Sequence, residues 1–212
     1  MWTRVLPRVR PVMVPRACGS QYGAPRPEKA GTNAGTNDLR VFDGRDSSFE
    51  LHAFELDFEK LAPESGGVGF RADLMYGLNS LVTDGGGINF DGAAGVGPDE
   101  FDLQQAYGEI NVPIPASSLL GDKINVKAGK FVTLAGAEVI ESTDNWNFSR
   151  SMAFGFGIPF THTGVRASMD VLNDKATAIL GLNNGWDVVQ ETGNGKTVEM
   201  ALIAPLTDTF TR

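Results

Sequence analysis

Apolar and polar residues alternate along most of this chain. Val68, Phe70, Ala72, Leu74 and Tyr76 form one apolar row, with Gly69, Arg71 and Asp73 between them. Ala106, Gly108, Ile110 and Val112 oppose Gln105, Tyr107, Glu109 and Asn111. Ile124, Val126 and Ala128 oppose Asn125 and Lys127. Further on, Thr163, Val165, Ala167 and Met169 oppose His162, Arg166, Ser168 and Asp170. Val198, Met200, Leu202 and Ala204 oppose Thr197 and Glu199. A period of two predicts strands with one apolar and one polar face. Residues 49–60 carry a slip. Phe49, Leu51 and Ala53 are apolar at odd positions, then Phe54, Leu56 and Phe58 at even ones, facing Glu50, His52, Glu55, Asp57 and Glu59. The slip at Ala53–Phe54 predicts a β-bulge. Glu, Leu and Lys favour helix there, but three acid–apolar alternations after Phe54 favour strand. Residues 176–182 are apolar on both faces and form the least distinct strand. The count is about seven.

The connections alternate in length. Those at 62–66, 113–122 and 173–175 are short; those at 78–100, 132–159 and 183–195 are longer, and 207–208 reads as another tight turn. Tight turns at one end and long loops at the other are the layout of a transmembrane β-barrel. The predicted fold is therefore all-β: an antiparallel up-and-down meander forming part of such a barrel. In that frame the short turns are periplasmic and the long loops external. Alternation alone suits a soluble β-sandwich binding module for carbohydrate or another small ligand equally well. Sandwich loops carry no such systematic length bias, which favours the barrel.

Composition narrows the class. Of 212 residues, 26 are Gly and one is Cys; 42% are hydrophobic and 21% charged. This is not a disordered composition. Mean hydropathy is −0.12, which does not exclude a barrel, because alternating faces average out. No segment is apolar enough for a membrane helix. A net charge of −8 disfavours nucleic acid as a partner. Cys18 stands alone, so no intrachain disulfide and no cysteine-based metal site can form.

Residues 1–16 carry Arg4, Arg8, Arg10 and Arg16, broken by Pro7, Pro11 and Pro15. A secretory signal needs about 7–15 apolar residues in a row, and this segment has none. Residues 1–34 are thus expected to be a disordered or non-native arm, and 35–212 the barrel domain. Seven strands cannot close an ordinary bacterial barrel, whose count is even and at least eight. An open sheet in lipid leaves unpaired backbone at its edges. The expectation is a fragment of a longer barrel, about half of a pore wall.

Particular segments resemble the β-barrel porin family of bacterial outer membranes. They are Gly35 to Asp43, followed by Phe49, and then Phe101 to Tyr107. The most specific stretch runs from Ala128 to Phe131, through Gly136, Glu138 to Glu141 and Asn145 to Arg150, to Phe154-Gly155 and Ile158 to Arg166. The resemblance covers residues 35–212 and implies an outer-membrane location, a lipid bilayer as partner and a non-enzymatic channel. Small polar solutes or ions would pass, and a homo-oligomer is compatible with the family. Residues 1–29 look foreign to it.

The predicted pore-lining residues are Glu50, His52, Glu55, Asp57, Arg71, Asp73, Glu109, Lys127, His162, Arg166 and Glu199. The loop at 132–159 is too apolar to float free and too long for a turn, so it is expected to fold inward. Its constriction residues would be Glu138, Glu141, Asp144 and Arg150, with Arg150 and Arg166 as ion-pair partners. A solvated external loop is the alternative. Tyr76 and Phe58 suit an aromatic girdle, and Trp146 and Trp186 are expected to pack within their loops. The run Asp84-Gly85-Gly86-Gly87 lacks the Gly-Lys-Ser/Thr of a P-loop. Asp84, Asp91, Asp99 and Glu100 fit no EF-hand spacing. His52 and His162 have no nucleophile motif beside them. No catalytic residue, metal or cofactor is expected.

Overall fold

Alternating residues fold as the period of two dictates. In this computed structural model the described residues are 8–15, 41–42, 49–83, 101–115, 117, 119–190 and 195–204. For 8–15 and 49–50 the backbone alone is described. Eight strands follow in chain order in one antiparallel sheet: β1 Arg8–Pro15, β2 Phe49–Lys60, β3 Gly67–Tyr76, β4 Phe101–Pro113, β5 Lys123–Val132, β6 Thr161–Val171, β7 Ala176–Asn183 and β8 Thr197–Ile203. Among the described residues β1 and β8 are the two edges and the sheet is not closed. Among the described residues two short α-helices, α1 Ser80–Thr83 and α2 Met152–Gly157, and a 3₁₀ turn at Ser142–Asp144 lie in the connections.

β2 to β8 are the seven strands expected from alternation. β1 adds an eighth, inside the segment expected to be an arm. It pairs with β2 from Arg8↔Asp57 to Pro15↔Phe49. Pro11 and Pro15 cannot donate to a ladder, so their strand is tolerated at a sheet edge. The turn expected at 207–208, most of the loop at 78–100 and Cys18 lie outside the described residues.

Register places the apolar rows side by side. Val68 pairs with Ile110, Ile110 with Val126, Val126 with Ala167, Ala167 with Leu180, and Leu180 with Met200. A second row runs Phe70, Gly108, Ala128, Val165, Leu182 and Val198. Val68, Phe70, Ile110, Val165, Leu180, Leu182, Val198 and Met200 are all exposed. The opposite face is charged and buried: His52, Glu55, Asp57, Asp73, Gln105, Asn111 and Arg166 are all shielded from solvent. The usual order of a water-soluble protein is therefore inverted on this sheet.

Two bulges adjust the faces. Across β1 and β2 the register skips His52, one residue before the expected slip. Across β3 and β4 it skips Gln104. A bulge turns two successive side chains to one side, and both His52–Ala53 and Gln104–Gln105 are buried pairs. In β5 the Gly129 φ of 136° interrupts the pleat, and Lys130 and Phe131 beyond it are both buried.

The short connections are tied down. Asn111 Nδ2 donates to the carbonyls of Ala62 and Pro63 at 3.0 and 3.1 Å, and Lys123 pairs with Glu64. Gly121 N donates to the Asp170 carbonyl at 2.7 Å, and Leu172 N to that of Leu119 at 3.0 Å.

Gly129 is expected to tolerate no side chain. A Cβ there would lie 2.2 Å from the Ala106 carbonyl oxygen, on a backbone that L-residues rarely adopt. Gly129→Ala should cost about 1–3 kcal/mol, read as a lower urea midpoint for the refolded chain. An unchanged midpoint would contradict this account of the wall.

Candidate functional site: a cavity between the sheet and the loop after β5

The loop at 133–160 folds back over the charged face of the sheet. Its apolar residues explain why. Ile140, Phe154 and Phe160 bury themselves with Phe42, Ala53 and Met75, and Val132 and Ile158 pack against them. Phe42, Phe154 and Phe160 form a triad of rings with centroids 5.3–5.8 Å apart. Such packing removes several large side chains from water, at about 1.5–3 kcal/mol each. Phe148 meets His52 of β2 edge-on at 4.9 Å. The inward fold is thus a physical contact with β2 and β3, not an arm held out in solvent.

The loop also holds its own shape. Arg150 is buried and donates to the carbonyls of Val139, Phe148 and Ile140, with its guanidinium 4.3 Å over the Phe42 ring. Burial pulls that guanidinium down to about 10, with Glu141, Glu55 and Glu138 acting the other way. It remains charged at neutral pH. The Asn145 side chain bonds the Val139 N–H and carbonyl at 2.9 and 2.7 Å and the Glu141 carbonyl at 2.9 Å. Glu138 accepts from Ser151 N at 2.9 Å and from its hydroxyl. Ser151 in turn caps α2, accepting from Phe154 N at 3.1 Å.

A second anchor comes from the loop between β7 and β8. Asp187 Oδ1 accepts from Phe160 N and Thr161 N at 2.6 and 2.7 Å. His162 Nδ1 lies 3.2 Å from the Gly185 carbonyl, and its Nε2 lies 3.3 Å from Thr133 Oγ1. Burial pushes the Asp187 carboxyl up, against the two N–H donors, which hold it down.

Between loop and sheet lies a cavity of about 310 Å³. Arg71, Gln105, Tyr107, Lys127, Phe131, Val132 and Arg166 line it from the sheet, and Glu141 and Asp144 from the loop. Register builds the sheet side. Gly69, Glu109, Lys127, Arg166, Gly181 and Glu199 form one cross-strand row from β3 to β8. Arg166 reaches over Gly181 to Glu199, at 2.9 Å, and also bonds the Val132 carbonyl at 3.1 Å. A Cβ at Gly181 would sit 3.4 Å from that of Glu199, so glycine leaves the bridge its room. Lys127 lies 4.0 Å from Glu109 and 4.7 Å from the Tyr107 ring centre. Arg71 pairs with Asp73 at 2.8 Å. Lys130 and Asp102, both buried, pair at 2.8 Å, and Thr83 of α1 donates to Asp102.

The expected pore-lining residues divide. Arg71, Lys127 and Arg166 meet at the cavity; Asp73, Glu109 and Glu199 stand behind them as partners. His52, Glu55 and Asp57 are buried on β2, and His162 lies at the start of β6. Glu50 pairs by register with Val14, and its side chain is outside the described residues. Of the expected constriction residues, Glu141 and Asp144 reach the cavity, whereas Glu138 and Arg150 bond within the loop. Arg166 takes its carboxylate from β8, not from the loop, because the register brings Glu199 closer. Trp146 is fully exposed and Trp186 largely so; neither packs within its loop as expected. The buried Phe residues occupy the interior that those rings would have needed.

Sequence reasoning missed Gln104, Asn145 and the Lys130–Asp102 pair as organisers. Gln104 donates to Glu141 at 3.0 Å. Its signal was available, since two adjacent glutamines interrupt the alternation of β4. For Asn145 no pattern in the sequence marks the role.

A sheet with an exposed apolar face, a charged inner face and a loop folded onto that inner face is the wall of a porin-like β-barrel. Residues 25–211 match the family model described as "Putative beta-barrel porin-2, OmpL-like", and the chain belongs to that family. β1 precedes the matched region. No curated protein and no solved structure matches the chain.

Because folding raises the Asp187 carboxyl, its contribution is present below the ordinary value of 3.8 and is lost as pH rises through the higher folded value. Asp187→Asn keeps an oxygen for both N–H donors. It should remove this pH dependence and leave the protein at least as stable at neutral pH, measured by chemical denaturation across that range. An Asn variant that is less stable at neutral pH would show that the anchor needs the charge.

Proposed function

We propose that the chain forms part of the wall of a water-filled channel in a bacterial outer membrane. Small polar solutes or ions diffuse through it passively, and the loop at 133–160 narrows the passage. The observation that supports this best is the inversion of the two faces. Exposed rows led by Val68, Phe70, Val165, Leu182 and Met200 suit lipid, while buried Asp73, Gln105 and Arg166 suit a wet interior. Lumen walls and the loop acids do the work by field and size. The role involves no covalent step, and the expected partners are the bilayer and the solutes. A soluble sandwich would cover the apolar rows with a second sheet; the described residues make one sheet and leave those rows open.

Two measurements test the reading. In planar bilayers, discrete current steps are expected from the closed barrel to which this sheet contributes, and no stable conductance from the open sheet alone. Lys127→Glu in that closed barrel should shift the reversal potential in a salt gradient toward cations; a closed barrel without any steps would oppose a pore. On the outer face, Val165→Arg should cost about 2–4 kcal/mol of folding into lipid vesicles if that position sits near the midplane. An equal loss for Val165→Thr would point away from a lipid-facing surface.

A further inference from the structure

The cavity has a chemical polarity that passive diffusion does not require. Its sheet side presents Arg71, Lys127 and Arg166, and its loop side presents Glu141 and Asp144. Two carboxylates that hold these cations, Asp73 and Glu109, are set back from it, whereas Glu59, 3.6 Å from Arg71, is more open. The Arg71 and Lys127 side chains keep 25% and 31% of their exposure, against 3% for Asp73 and 8% for Glu109. A solute entering the cavity therefore meets cations on one side and acids on the other. Aromatic rings fix the cationic side: Lys127 Nζ stands 4.7 Å from the Tyr107 centroid and Arg166 Cζ 4.1 Å from that of Phe131. The Gln104 bond and the bonds of Asn145 fix the acidic side.

A simple anion in this space gains from Arg71 and Lys127 but stands against Glu141 and Asp144. A simple cation has the reverse problem. A molecule with one charge of each sign satisfies both sides through charge-assisted hydrogen bonds. A volume of about 310 Å³ is at the small end of ligand sites. We propose that this cavity is a binding subsite for a small zwitterion, its carboxylate against Arg71 and Lys127 and its ammonium against Glu141 and Asp144. The subsite deepens the channel reading and rests on it for a wet lumen.

Calorimetric titration of the full chain, refolded in detergent, tests it with three probes: γ-aminobutyrate, butyrate and butylammonium. Binding of γ-aminobutyrate should be about tenfold tighter than that of either single-charge probe, as one added charged hydrogen bond implies. Glu141→Gln and Lys127→Gln should each lower its affinity about tenfold. Glu64→Gln, at a distant turn, should not. Trp146, two residues beyond Asp144, supplies an independent fluorescence readout. Equal binding of the three probes, or a preference that survives both cavity variants, would overturn the subsite. The comparison of probes on the unaltered protein decides the matter even where a variant misfolds. No bilayer is involved, so the two readings separate. Zwitterion binding by this chain with no current from the closed barrel would keep the subsite and refute the channel; current from the closed barrel without probe discrimination would do the reverse.

Discussion

A slip of one residue between two neighbouring strands would exchange the faces of this sheet. Register is therefore the constraint under every other feature. It aligns Val68, Ile110, Val126, Ala167, Leu180 and Met200 into one apolar row. The same pairing sets Glu109, Lys127 and Arg166 side by side on the reverse. Two forces hold it. Short turns such as 172–175 leave little freedom between β6 and β7. Carboxylates and cations on adjacent strands favour the one pairing in which they meet, since an unpaired buried charge costs several kcal/mol.

The charged face then needs cover, and the loop after β5 supplies it. Its phenyl rings and Ile140 make the apolar core that the sheet alone lacks. The two halves of the design solve different problems. Hydrophobic burial brings the loop down onto β2 and β3. Hydrogen bonds within 138–151 decide which of its groups face the sheet, so that Glu141 and Asp144 look into the cavity while Glu138 is spent on Ser151.

Strands and connections were legible because both are local signals. A period of two needs only a few neighbouring residues, and every long or short connection between β2 and β8 falls within a residue or two of its expected limits. β1 was not legible, because prolines and arginines mask an edge strand whose identity depends on β2. Site geometry was legible by face but not by partner. Arg166 and Glu199 are 33 residues apart, and their meeting depends on a glycine in the strand between them. Likewise Arg150 looked like a counter-ion for loop acids. It also donates to the carbonyls of Phe148 and Ile140, which no charge pattern could have indicated.

That last feature bears on environment. Ion pairs such as Arg71–Asp73 weaken as dissolved salt shortens the range of charge, to about 10 Å at 0.1 M and 3 Å at 1 M. Bonds from a buried guanidinium to neutral carbonyls are far less screened. The loop should thus keep its outline in brine as in fresh water, while the charges it overlooks grow dim. Salt would thus change the charge felt beside the loop without changing the loop's outline.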